Sequence, residues 1–371
     1  MYNVAIVGCG GMGSGHAVAI ANGTGNAIWL GIPGVKQGKL DPDDSDLGGI
    51  LSLAGICDID PARVEWAKGK GYNIYDSFED IIADPKVDIV LIATPNHLHH
   101  DMAIASMKAG KHVLCEKPVM MSSKELEEVL AVSKETGKVF YPRQNRRWDK
   151  DFRIVKRTYD EQLVGKVFNI ECRIQGSRGI PGDWRGKKEF GGGMMLDWGV
   201  HLLDRLLFMV TEPIKYVFCD LTHITNDEVD DGFKVHLTFE SGLTAMMEVG
   251  TCHFAALPTW YVNGAEGTLV IDNWEMEGRM MRLKSWEDKD ALPILAGAGL
   301  TKTMAPRMDD SVETLPLPEV KFDNNELYVN LVETIEGKAE QIVTGEQALR
   351  VLRLMEACME SGEKHKVIEF E

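Results

Sequence analysis

The chain has 371 residues, 44% hydrophobic and 26% charged, the composition of a water-soluble globular protein too long for one ordinary core. Fifty-seven acidic against 40 basic residues give a formal charge of −17, a field that disfavours DNA, RNA and anionic membrane surfaces as partners. No apolar run approaches the ~20 residues of a membrane helix, the first residues carry no basic leader, and seven cysteines without a CxxC spacing suit no complete disulfide framework, so a reduced, cytoplasmic protein is expected.

Along the first third, short apolar runs at 4–8, 51–57, 87–93, 112–115 and 139–141 alternate with helical spacing. That rhythm predicts a parallel, doubly wound sheet covered on both faces, a Rossmann unit over 1–145. Residues 23–50 interrupt it with seven glycines and two prolines, too many to sustain a helix or strand. They read as an insertion loop, a surface excursion in preference to a flap near the adenosine end of a cofactor or an oligomer contact. From about residue 146 the period changes to two. Phe168, Ile170, Cys172 and Ile174 alternate with polar neighbours, as do Phe233, Val235, Leu237 and Phe239, and then Leu243, Ala245, Met247 and Val249. This predicts an open, mostly antiparallel sheet in an α+β unit over 146–371. One helix, 194–210, interrupts its strands, and helical spacing returns over 323–337 and 345–361. The last helix is placed to pack back on the first unit. The polar sheet face suits a contact between subunits, so a homo-oligomer is expected.

Gly8-Cys9-Gly10-Gly11-Met12-Gly13 follows the first strand and opens a helix. In that setting Gly8 permits the tight turn, Gly10 lets a pyrophosphate approach the backbone, and Gly13 lets helix and strand pack closely. The helix N-terminus then offers free N–H groups to phosphates. Asp58 ends the second strand, where a carboxylate accepts ribose hydroxyls and repels a 2′-phosphate, favouring NAD over NADP. It lies farther from Gly13 than the usual ~20 residues, a gap the insertion accounts for. Asp60, before Pro61, reads instead as a helix N-cap.

Three further motifs stand at strand ends or helix starts: Ala93-Thr94-Pro95-Asn96 with His97, His99 and His100; Cys115-Glu116-Lys117-Pro118; and Gly191-Gly192-Gly193 leading to Asp197 and His201. The carboxyl ends of strands line the ligand crevice of a doubly wound sheet. Asp197 and His201, four apart, share one helix face. Adjacent histidines on a turn rarely converge on one ion, so no metal is expected.

Together GCGGMG, ATPNHLH, CEKP, GGGMMLDWGVHLLD, NGAEGTLVI and GEQALRVLRLMEAC resemble the landmarks of the Gfo/Idh/MocA oxidoreductase family over nearly the whole chain. The resemblance implies NAD as cofactor, lined by Gly8, Gly10, Gly11, Met12, Gly13, Asp58, Thr94, Pro95, Asn96 and His99, with Glu116 and Lys117 beside it. It implies Lys117, Asp197 and His201 as catalytic residues, and the Arg146-Arg147 pair, Arg147 foremost, with Trp184, Arg185, Asp197 and His201 around a small sugar, glycoside or polyol. The chemistry of these residue types agrees. Oxidising a secondary alcohol needs a base for the hydroxyl proton and a cation for the developing alkoxide. His201 is the expected base and Lys117 the cation, although the reverse stays open. The expected reaction is hydride transfer from a sugar hydroxyl, first at C3 of a glucose-like ring, to give a keto-sugar. Inositol 2-dehydrogenation, an NAD-dependent glycosidase using transient oxidation, and a non-catalytic NAD-binding regulator are the alternatives.

Overall fold

The computed structural model describes residues 1–23, 44–286, 291–307, 309–321 and 323–370. Five parallel strands form the first sheet: β1 (Tyr2–Val7), β2 (Leu51–Cys57), β3 (Ile89–Ile92), β4 (His112–Cys115) and β5 (Phe140–Pro142), in the order β2-β1-β3-β4-β5. Their near-continuous apolar sequences are those of strands covered on both faces, and all four residues of β3 are buried. The intervening helices are α1 (Gly11–Asn22), α2 (Pro61–Gly69), α3 (Phe78–Ala83), α4 (His99–Lys108) and α5 (Ser123–Thr136). Asp60 caps α2 as expected, accepting the Ala62 N–H at 2.9 Å with Pro61 in the first turn.

After α6 (Lys150–Asp160) come β6 (Val167–Gln175), α7 (Val200–Met209), β7 (Ile214–Thr222), β8 (Gly232–Phe239), β9 (Thr244–Gly250), β10 (Trp260–Gly264), β11 (Gly267–Ile271), β12 (Gly278–Leu283), the small hairpin β13 (Ile294–Ala296) and β14 (Gly299–Thr301), and β15 (Val312–Leu315). The chain closes with α8 (Glu326–Ile335), α9 (Gly345–Lys364) and β16 (Ile368–Glu369). The second sheet runs β15-β12-β11-β10-β6-β9-β8-β7-β16, antiparallel except where β6 pairs with β9. Its inner face carries the period-two residues: Ile170, Cys172, Val235, Leu237, Phe239, Ala245, Met247 and Val249 are all buried.

Three expectations are corrected. Phe168 leaves the apolar face. Asn263 pairs with Asn169 and Gly264 with Val167, so Phe168 is the extra residue of a bulge and turns outward, 54% exposed. The helix expected over 194–210 is not uniform: Met195–Gly199 is π-helical and only then does α7 begin. And α8 shares its core with the first sheet, not the second. Its Leu327, Tyr328, Leu331 and Val332 bury with Val4, Ile6, Ile89 and Leu91. α9 lies between, touching α7 and β7 on one side and α5 and β5 on the other.

Most of the expected 23–50 insertion, residues 24–43, lies outside the described residues. Its described end folds back: Leu47 is fully buried and donates its N–H to the Gly23 carbonyl at 2.8 Å, while the Asn325 amide donates to the Ser45 carbonyl at 2.6 Å.

Arg147 locks the two halves together. Its guanidinium grips Asp204 of α7 at 2.8 and 2.6 Å and also donates to the Ile342 carbonyl and Gln347, with Arg147 and Asp204 each 1% exposed. Removing one partner leaves an uncompensated buried charge. Arg147→Ala is expected to lower unfolding free energy by about 3–5 kcal/mol; chemical denaturation of both proteins at one pH measures it.

Candidate active site

The turn after β1 is built for close approach. A β-carbon on Gly13 would lie 1.8 Å from the Gly8 carbonyl oxygen, and one on Gly8, at φ +88°, 2.5 Å from that of Ala93. Gly10 and Gly11, by contrast, face open space, and no acidic side chain occupies the first turn of α1. The cradle therefore fits a pyrophosphate: bare backbone at Gly10, free N–H groups and the positive end of a helix. Asp58 stands at its rim. It accepts the Cys9 N–H at 2.5 Å and the Asp60 N–H at 2.8 Å. Burial, with Asp58 alongside, pushes the Cys9 thiol up to about 12, so it brings no negative charge to the cradle.

The next strand end is spent on positioning. Asn96 donates from its amide to the Gly191 carbonyl at 2.8 Å, and the His97 ring packs 5.2 Å from Phe190. His99 is fully buried between the carbonyls of Pro118 (2.9 Å) and Thr94 (3.0 Å). What His99 does for a ligand goes through the backbone of Thr94 and Pro118. Thr94 and Pro95 remain half-buried at the mouth.

Glu116 lies below this floor, 4% exposed. One carboxylate oxygen accepts from His16 Nε2 of α1 at 2.7 Å and from Arg143 at 3.0 Å; the other accepts the Lys117 N–H at 3.2 Å. The Tyr328 hydroxyl donates to His16 Nδ1 at 2.5 Å. Burial would raise the Glu116 carboxyl, but Arg143 and His16 bring it down to about 2. Burial, aided by Arg143, holds His16 below its ordinary value.

Lys117 crosses to the second sheet. Its Nζ donates to the Asp197 carbonyl and to Asp197 Oδ1, both at 2.8 Å. Arg185 approaches Asp197 Oδ2 at 3.5 Å. Burial opposes ionisation of Asp197, yet Lys117, Arg185 and Arg146 outweigh it and its carboxyl sits below the usual value. One turn on, His201 is 5% exposed, and its Nδ1 is buried without a hydrogen-bond partner. Burial first, then the charges of Lys117 and Arg146, hold its pKa well below 6.5, so the ring is a neutral imidazole. The preceding glycines let the π-helical start sit this close. A β-carbon on Gly193, at φ +105°, would meet Asp230 Oδ1 at 2.3 Å, and Asp230 in turn accepts the Met195 N–H at 2.8 Å. Burial raises the Asp230 carboxyl to about 6.

The structure thus brings Lys117, Asp197, His201 and Arg185 together, with Trp184 stacked on Arg185 at 4.6 Å. It does not bring Arg147, which is spent on Asp204. Its neighbour Arg146 faces this region instead, 4.3 Å above the Trp198 ring and 5.7 Å from Trp274. Trp198 stands edge-on to His201 at 5.8 Å. Trp274, Asp230 and the His16–Tyr328 link carry no motif, which is why sequence reasoning passes over them. Among the described residues no group of three or more His, Cys, Asp or Glu side chains is placed to hold a metal ion, and no helix is long and apolar enough to cross a membrane.

Comparison with known proteins agrees with this geometry. Residues 2–144 match the oxidoreductase family with an NAD-binding Rossmann fold, and residues 152–270 match the Gfo/Idh/MocA C-terminal domain. The chain belongs to the Gfo/Idh/MocA oxidoreductase family. It is similar to a solved NAD-binding protein of Listeria innocua, at 42% identity over 99% of both chains with a TM-score of 0.88. It is 28% identical to a scyllo-inositol 2-dehydrogenase (NADP(+)) of Bacillus subtilis over 81% of this chain and 83% of that one. It is 26% identical to a D-glucoside 3-dehydrogenase of Escherichia coli over 44% and 48%. This Gfo/Idh/MocA protein is therefore an oxidoreductase with a nicotinamide-nucleotide fold.

The buried neutral histidines have a consequence for stability. His16, His99 and His201 have folded pKa values below 6.5, whereas the unfolded chain protonates them near 6.5. Between those values the unfolded state binds more protons, so acidification favours unfolding. Glu116, depressed to about 2, adds to the loss at still lower pH. Melting temperature is expected to fall as pH drops from 7.5 towards 5.5, and His16→Gln should flatten part of that slope in calorimetric scans.

Proposed function

We propose that this protein is an NAD-dependent dehydrogenase of a secondary hydroxyl on a sugar, glycoside or cyclitol, with the C3 hydroxyl of a glucose-like ring as first choice. The observation that carries the reading is the meeting of Lys117 with Asp197 at the carboxyl edge of β4, beside a neutral His201. A relative named as a glucoside 3-dehydrogenase and one named as an inositol dehydrogenase support the substrate class. The nicotinamide, when bound, supplies the hydride acceptor. The protein's residues do the rest. Lys117 donates to the hydroxyl oxygen and stabilises negative charge as it develops there. Neutral His201 accepts the hydroxyl proton, leaving the carbonyl product. Asp197 keeps Lys117 aimed, and Arg185 shares its charge. Gly10 and the first turn of α1 hold the phosphates, and Asp58 takes the adenosine ribose.

Incubation with NAD and a panel of glucose, glucosides, galactose, xylose and myo-inositol tests this. A product two mass units lighter with equimolar NADH is expected. Lys117→Ala should lose at least ~100-fold in kcat/KM while NAD binding persists. Net release of aglycone without NADH would favour a glycosidase, and NAD binding with no turnover of any panel member would remove these substrates and favour the non-catalytic regulator.

Asp58 supports NAD over NADP, because its carboxylate opposes a 2′-phosphate. Wild-type rates should favour NAD, and Asp58→Ser should narrow the gap mainly by improving KM for NADP. Equal use of both cofactors by the wild type would overturn the assignment.

A further inference from the structure

Trp274 is half exposed, 50%, at the turn between β11 and β12. The turn closes without it. The Asp272 N–H bonds the Glu277 carbonyl at 2.7 Å, the Met276 N–H the Asn273 carbonyl at 3.2 Å, and the Asn273 side chain takes the N–H groups of Glu275 and Glu277 at 3.1 and 3.2 Å. Met276 accepts φ +63° within it. The indole is thus presented on a rigid mount to whose closure it adds nothing. Its ring contacts run inward to the reacting groups: Trp198 at 6.2 Å, and from Trp198 to His201 at 5.8 Å. Arg146 covers Trp198 at 4.3 Å and reaches towards Trp274 at 5.7 Å, with its Nε buried and unpartnered. Across the site Trp184 and Arg185 repeat the pairing of indole and guanidinium beside Asp197.

We propose that Trp274, backed by Trp198 and Arg146, is a binding platform for a second ring, so that the substrate is a two-ring glycoside whose first ring is oxidised at His201 and Lys117. The electron-rich indole face attracts the C–H face of a pyranose or the edge of an aromatic aglycone. Arg146, fixed by its ion pair to Asp149 at 2.8 Å, holds both indoles by cation–π contact. The dehydrogenase reading above sets which ring reacts; the platform itself stands on the aromatic geometry.

The test is calorimetric binding to protein saturated with NADH, which cannot take hydride from an alcohol, using methyl β-glucoside, phenyl β-glucoside and cellobiose. The wild type should bind phenyl β-glucoside or cellobiose about 3- to 10-fold more tightly than methyl β-glucoside. Trp274→Ala should erase that difference and leave methyl β-glucoside and the melting temperature unchanged, while Trp274→Phe should retain most of it. The compound that shows the gain tells a second sugar from an aromatic aglycone. The platform is overturned if the wild type shows no preference, if Trp274→Ala keeps it, or if none of the three binds. Rates with NAD run alongside. Trp274-dependent binding without oxidation of any glucoside would sustain the platform and remove the dehydrogenase reading; oxidation with no Trp274-dependent preference would do the reverse.

Discussion

A lysine at the end of one sheet and an aspartate at the start of a helix over the other meet at 2.8 Å, and the rest of the site is organised around that contact. Lys117 reaches Asp197 because Glu116 anchors its backbone from below and because the triple glycine lets the π-helical stretch lie against Asp230. The pair is partly open, each side chain being 16–17% exposed, so its charges are neither lost to bulk water nor sealed from a ligand. The same cation suppresses protonation of His201. One interaction therefore sets the positions of two groups and adds to what burial already does to the charge state of a third.

Beneath it, carboxylate–guanidinium pairs are buried, among them Glu116 with Arg143, Asp204 with Arg147, and Asp151 with Arg205. Each joins segments distant in sequence. Pairs of this kind add little net stability over apolar packing, because desolvation offsets attraction. They are intolerant of misplacement, however, since a shifted partner leaves a bare charge in a poor dielectric. That property suits a crevice whose two walls come from different sheets.

Much of this was legible from local pattern. Strand periods, the glycine turn after β1 and the Asp60 cap depend on neighbours a few residues away, and the chain displays them directly. What was hidden depends on geometry that no short window records. Arg146 and Arg147 are adjacent and identical in type, but a tight turn sends one to the tryptophans and the other to Asp204. Phe168 keeps the alternation of its strand, and only a bulge opposite Asn263 and Gly264 turns it out. A π-helical stretch closes i→i+5 rather than i→i+4 bonds, but five residues span barely one turn, so 195–199 shows no period of its own to read. Trp274 reaches the site from a hairpin far along the chain.

The assignment of α8 to the first sheet has a consequence for how the chain is made. Tyr328 completes a polar chain through His16 to Glu116, and Leu327, Leu331, Val332 and Val343 fill one side of the nucleotide-binding core. A ribosome emitting this chain releases all five parallel strands long before the residues that seal them. The unit that begins at residue 2 stays short of its apolar closure until the segment around residue 343 has emerged, so synthesis of the second sheet comes between the first fold's start and its finish.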